Sequence, residues 1–132
     1  MTVRLIKLAV VYLVAGMTLG LVMGITGDFQ LRSVHAHVNL LGWASLGLAA
    51  VVFHVFPALA RTRLAGIWFW TYNLALPVGL VSLALMLSGH AWALPAVKLS
   101  HTLIWLSGVL FAANVLWTLR GSRAQVAVPA HA

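Results

Sequence analysis

Four long stretches of this chain carry no charge: residues 8–27, 33–60, 64–97 and 99–119 contain no Asp, Glu, Lys or Arg. About 20 apolar residues in a helix cross the hydrocarbon core of a bilayer. Backbone in that solvent must satisfy its own polar groups, and a helix does so within one segment. The gaps therefore predict an all-α integral membrane protein. The third gap is the longest, but Ser88-Gly89-His90 and then Pro95 break it, so it holds one full helix, a turn and the start of the next. The predicted spans are about 5–25, 34–57, 65–88 and 96–119, in one transmembrane domain over 1–120. Short connections make neighbours antiparallel and give a four-helix bundle. Residues 121–132 include Pro129 and lack a helical stripe, and they read as a flexible C-terminal tail. The first span is longer than the roughly 7–15 apolar residues of a signal peptide and has no clear small-residue cleavage site after it, so it is read as a helix.

With 63% hydrophobic and 7% charged residues, the composition excludes an ordinary soluble domain. The positive charges sort by side. Arg4, Lys7, Arg61, Arg63, Arg120 and Arg123 fall on one side of the four spans, whereas Arg32 and Lys98 fall on the other with Asp28, the sole acid. The positive-inside rule puts both termini in the cytoplasm, as expected for a multi-pass protein of a bacterial inner membrane. The net charge of +7 serves this orientation and contact with the anionic lipid bilayer. It does not argue for nucleic acid, because no soluble basic face exists to carry a duplex. Cysteine is absent, which removes disulfides and thiolate metal sites.

Within the spans, Gly16, Gly20 and Gly24 recur every four residues and offer one face for close backbone approach. The partner on that face is a helix of the same chain, a second subunit or a flat cofactor. Pro77 cannot donate to the Asn73 carbonyl and favours a kink. Trp68, Trp70 and Tyr72 near one end, with Trp43 and Trp92 toward the other, read mainly as belts at the membrane surfaces.

Histidines beside lipid are costly and mark cavities, cofactors or proton routes. Ser33 is a suitable N-cap for the second helix, which puts His35 and His37 in its first turn or just beyond. His90 follows the third helix, and His101 lies about one and a half turns into the fourth, counted from Pro95. All four belong to the outward, periplasmic side. His54 lies 17 residues past His37, about 25 Å away at a rise of about 1.5 Å per residue, and belongs to the opposite side. His131 is in the tail. Residues two apart on a helix are rotated by about 200°, so His35 and His37 face nearly opposite ways and do not clasp one ion together. A haem held edge-on between helices takes one imidazole from each flank. His37 and His101, on different helices at similar depth, form such a pair.

The segment from His35-Ala-His37-Val-Asn39 through Gly42-Trp43 to His54-Val-Phe-Pro57 resembles the histidine-bearing helices of the catalytic subunit of haem–copper oxidases and nitric oxide reductases. In that family a His-x-His on one helix gives one imidazole to each of two haems. The resemblance implies that His37 binds a low-spin b-type haem and that His35 faces a second site. The likeness covers about 23 residues; the family's catalytic subunit has about twelve spans in three four-helix arcs, and this chain has four. The adjacent His-His pair, the His-Pro-Glu-type motif and the cross-linked His and Tyr of the copper centre have no counterpart here. The resemblance thus implies one haem-binding arc without a copper centre, and a homotrimer or other homo-oligomer that mimics the larger fold.

On this reading His37 and His101 are axial ligands to haem b, and the chain transfers electrons to or from a redox partner that the sequence does not name. If only one of them binds iron, the open position suits oxygen or nitric oxide binding. Arg32 and Lys98 lie near the mouth of the site and suit haem propionates. Asn39, four residues after His35, orients a ligand or a water. No catalytic residue is assigned, and an enzymatic role would be that of an oxidoreductase. Two other readings stay open: a periplasmic zinc or copper site built from His35 or His37 with His90 and His101, and a cofactor-free structural or assembly subunit.

Overall fold

The computed structural model describes residues 1–120. The predicted tail at 121–132, with Arg123 and His131, lies outside the described residues. Four helices account for most of the chain: α1 Thr2–Thr26, α2 Arg32–Val55, α3 Arg63–Leu87 and α4 Ala91–Leu119. Each is long and apolar enough to cross a membrane. The bounds differ from the predicted spans by up to five residues, at the start of α4, and α2 and α3 stop two residues and one residue short of their predicted ends.

Gly27 closes α1 in the left-handed conformation (φ 70°), and its N–H caps the Met23 carbonyl. In the loop beyond it, Asp28 Oδ1 accepts from the Gln30 N–H at 2.9 Å. The Gln30 side chain donates to Leu87 O at 2.9 Å and so ties this loop to the end of α3. The α2 helix ends before Pro57, whose ring disfavours helical conformation in the residue ahead of it. Thr62 caps α3 by accepting from the Ala65 N–H at 3.0 Å. A single 3-10 turn at Ala91–Ala93 leads into the regular part of α4, Leu94–Leu119, with Pro95 in its first turn. The α3 helix runs unbroken through Pro77, and the Asn73 amide, one turn earlier, donates to Phe69 O at 2.8 Å.

Contacts between consecutive helices show them to be antiparallel, because one residue number rises as the other falls. On α1 and α2, Tyr12 meets Gly42, Gly16 meets Asn39 and Gly20 meets His35. On α3 and α4, Gly79 meets Ser100, and Trp68 meets Phe111 with ring centroids 5.2 Å apart. In a bilayer, lipid would supply no hydrophobic drive between such helices, and close approach at small residues would matter more than in water. Gly16, Gly20, Gly42 and Gly79 provide it. Gly24, in the same predicted stripe, has nothing within 4 Å of where its Cβ would stand. The partner of the α1 glycine face is therefore α2 of the same chain, over two of its three positions.

The packed interior joins α2 to α3 and α4 through Leu46, Phe53, Trp68, Tyr72, Leu76 and Ile104. Trp68 and Tyr72 are buried there, 4% and 5% exposed, so they are not belt residues; Trp70, on the opposite face of α3, is exposed. At the end where the chain starts, the fully buried Asn114 fastens the α2–α3 connection to α4. Its amide donates to Leu59 O at 3.1 Å, and its oxygen accepts from Thr62 at 2.9 Å and Thr118 at 3.2 Å. Many large apolar side chains stand exposed on the outer surface, among them Val11, Leu21, Ile25, Leu48, Trp105 and Trp117, as a bilayer solvent would permit.

Candidate functional site

The second helix is not a regular α-helix where its histidines lie. Arg32–His37 is α-helical, Val38–Ser45 adopts the wider π ladder, and Leu46–Val55 is α-helical again. A π segment carries one residue more than the α-helix it interrupts, and such segments concentrate at functional sites. Nothing in Val-Asn-Leu-Leu-Gly-Trp-Ala-Ser marks it in the sequence.

The two histidines of the motif part company as their spacing requires. His35 turns to α1, where its Nδ1–H donates to Gly16 O at 2.9 Å. Its ring lies over Gly20, whose Cβ would come within 2.7 Å of His35 Cε1. Asn39 sits beside it and donates to His35 O at 2.9 Å, which holds the amide against Gly16. His35 and Asn39 thus share one face with the α1 glycines.

His37 turns instead to α4 and meets His101, the ring centroids 5.5 Å apart and the planes crossing at 70°. Each ring is anchored alike. The His37 Nδ1–H donates to Ser33 O at 2.7 Å, and the His101 Nδ1–H donates to Val97 O at 2.9 Å, both one turn back along their own helix. A neutral imidazole has one N–H, so committing Nδ1 leaves Nε2 of each ring as a lone-pair nitrogen. Such an anchor is the usual second partner of a metal-bound histidine, since it fixes both tautomer and orientation. Both rings are half-buried.

One helical turn further in from the pair, a groove opens between α2 and α4 over a floor of α3. Its volume is about 600 Å³, within the range of small-molecule and cofactor pockets. Leu41 and Ser45 of α2, Trp68 and Tyr72 of α3, and Ile104 and Trp105 of α4 are among its lining residues. Leu41 and Trp105 each lie four residues past a histidine of the pair. The walls are almost wholly apolar. Arg32 and Lys98 are exposed near the starts of α2 and α4, the end of the molecule that carries the pair.

His90 stands apart. It is exposed in the turn after α3, edge-on to Trp92 with centroids 6.1 Å apart. Among the described residues, no three His, Cys, Asp or Glu side chains gather closely enough to hold one metal ion. The structure therefore brings His37 and His101 together and leaves His35 and His90 elsewhere. His54 is exposed near the far end of α2. The sequence alone does not single out the Tyr72 hydroxyl, which donates to Leu41 O at 3.0 Å, or Ser45 and Trp105 in the groove; their places depend on contacts between helices. Compared with family models, curated proteins and solved structures, the chain matches none.

Proposed function

We propose that this chain is a haem-b-binding protein of a bacterial inner membrane, with His37 and His101 as the two axial ligands. The observation that carries the reading is the pair itself: two imidazoles on different helices, each held in the Nδ1–H tautomer, at the head of an apolar groove. An imidazole nitrogen binds a metal at about 2.0 Å, so two rings on opposite sides of one ion hold their centroids roughly 6 Å apart. The observed 5.5 Å is close to that value, and α2 and α4 flank the open groove. When bound, haem supplies a one-electron redox centre. His37 and His101 together would hold such a group from both sides, which would suit electron exchange with a redox partner over binding of oxygen or nitric oxide.

The surrounding residues suit the same reading. Arg32 and Lys98, at the same end as the pair, are within the reach of long side chains for propionate groups. His35 and Asn39 fix α2 against α1 and so set the height and rotation of His37. Both termini lie in the cytoplasm by the distribution of positive charge, which turns the pair toward the periplasm. Descent from one arc of the haem–copper oxidase catalytic subunit accounts for the His-x-His, and a homotrimer would restore three arcs.

Purification in mild detergent tests the proposal. The wild-type protein is expected to be coloured, with a Soret band and sharp bands on reduction; His37→Ala and His101→Ala lose them, and His54→Ala keeps them. Retention of the same spectrum by both of the first two variants overturns the ligand assignment. Colourless protein carrying zinc or copper supports the metal alternative, and colourless protein without metal supports a structural subunit.

A further inference from the structure

Tyr72 is not one of the paired histidines, yet its hydroxyl reaches the one place where α2 leaves the α ladder. A helix that runs through π hydrogen bonds and then returns to α bonds skips a carbonyl at the exit. At the end of Val38–Ser45 the Leu46 N–H turns to Trp43 O, and Leu41 O accepts from the Tyr72 hydroxyl at 3.0 Å. Ser45 Oγ donates to Leu40 O at 2.8 Å, five residues back, and closes the same turn from inside. The Tyr72 hydroxyl thus gives the π segment a hydrogen-bond donor from outside its own helix. That donor comes from the floor of the groove.

The extra residue in the segment also sets a rotation of about 100° between the turns of α2 before it and those after it. His37 immediately precedes the segment. Leu46, Ala49, Ala50 and Phe53, which belong to the packed interior, come after it. If the segment reverted to an α ladder at fixed length, His37 would turn away from α4. We propose that Tyr72 is a positioning residue for His37: its hydroxyl bonds the Leu41 carbonyl within the π segment, holds that segment in place and so aims the imidazole at His101. This rests on the reading of His37 and His101 as haem ligands.

Tyr72→Phe removes one oxygen and keeps the ring against Trp68. Haem affinity falls about tenfold or more, the usual cost of losing a residue that orients a metal ligand. The low-spin bis-histidine EPR signal gives way to a high-spin signal with His101 still bound. Deleting Ala44 as well removes the extra residue, so α2 keeps the rotation of His37 without a π segment to hold, and the double variant regains the wild-type signal and affinity. Loss of packing alone would not be rescued in this way. Unchanged affinity and g values in Tyr72→Phe overturn the proposal, as does failure of the deletion to rescue. If the wild-type protein takes up no haem, the ligand reading fails on its own account. The positioning claim is then read from a chain carrying His37→Cys and His101→Cys. A short bifunctional thiol reagent bridges the two positions several-fold more slowly once Tyr72→Phe is added, and equal rates overturn it.

Discussion

Replacing Gly16 by Ala tests how tightly α1 is set against the histidine-bearing helix. The new Cβ would lie 2.5 Å from Asn39 Nδ2 and 2.6 Å from Oδ1, about 1 Å inside ordinary contact. Asn39 cannot swing clear without loss, because its amide donates to His35 O at 2.9 Å, a bond worth about 1 kcal/mol. Separating the helices instead lengthens the 2.9 Å bond from His35 Nδ1 to Gly16 O. Overpacking of this kind costs about 1–3 kcal/mol. Against it stands the helix preference of Ala over Gly, at most about 1 kcal/mol. The net expectation is a loss of about 1–2 kcal/mol. Gly24→Ala is the matched control, since the same methyl meets nothing within 4 Å; it should be neutral or slightly stabilising. Equilibrium unfolding in mixed micelles, with denaturing detergent as the variable, measures both. Equal stability of the two variants would refute the account of how α1 seats His35 and Asn39.

Two further outcomes are expected from the fold. Asn114→Leu should cost about 1–3 kcal/mol in the same assay, because it removes the amide donor to the Leu59 carbonyl and the acceptor of the Thr62 and Thr118 hydroxyls, leaving only the Thr62 bond to Leu59 O at 3.1 Å; a loss below about 0.5 kcal/mol contradicts the role of that knot. Ser88→Cys should react with a membrane-impermeant maleimide on intact cells, and Ala58→Cys only after permeabilisation, as the charge distribution predicts; the reverse pattern inverts the topology.

Four helices could be read from charge alone because the bilayer imposes a length on every span. Their ends shifted by a few residues where local chemistry decides, as at Gly27, Thr62 and Pro57. The divergence of His35 and His37 was equally legible, since it follows from helix rotation. Partners were not. Gly16, Gly20 and Gly24 have the same spacing, yet only the first two face α2, because α2 begins at Arg32, below the level of Gly24. His90 shares an end with His101 but falls beyond the last turn of α3, so depth alone could not place it in a site. The π segment and Asn114 left no trace in the sequence, because Tyr72, Leu59 and Thr62, their partners, are 31 to 55 residues away. Trp68 and Tyr72 looked like interfacial aromatics by composition, and the face of α3 on which they stand puts them in the interior.

The central claim is that His37 and His101 grip one iron between them. Low-temperature EPR of the oxidised, purified protein, together with iron and haem quantification, tests it most directly. One haem per chain with a low-spin, two-imidazole signal is the predicted result. Protein without haem, or haem whose signal survives loss of both imidazoles, would contradict it.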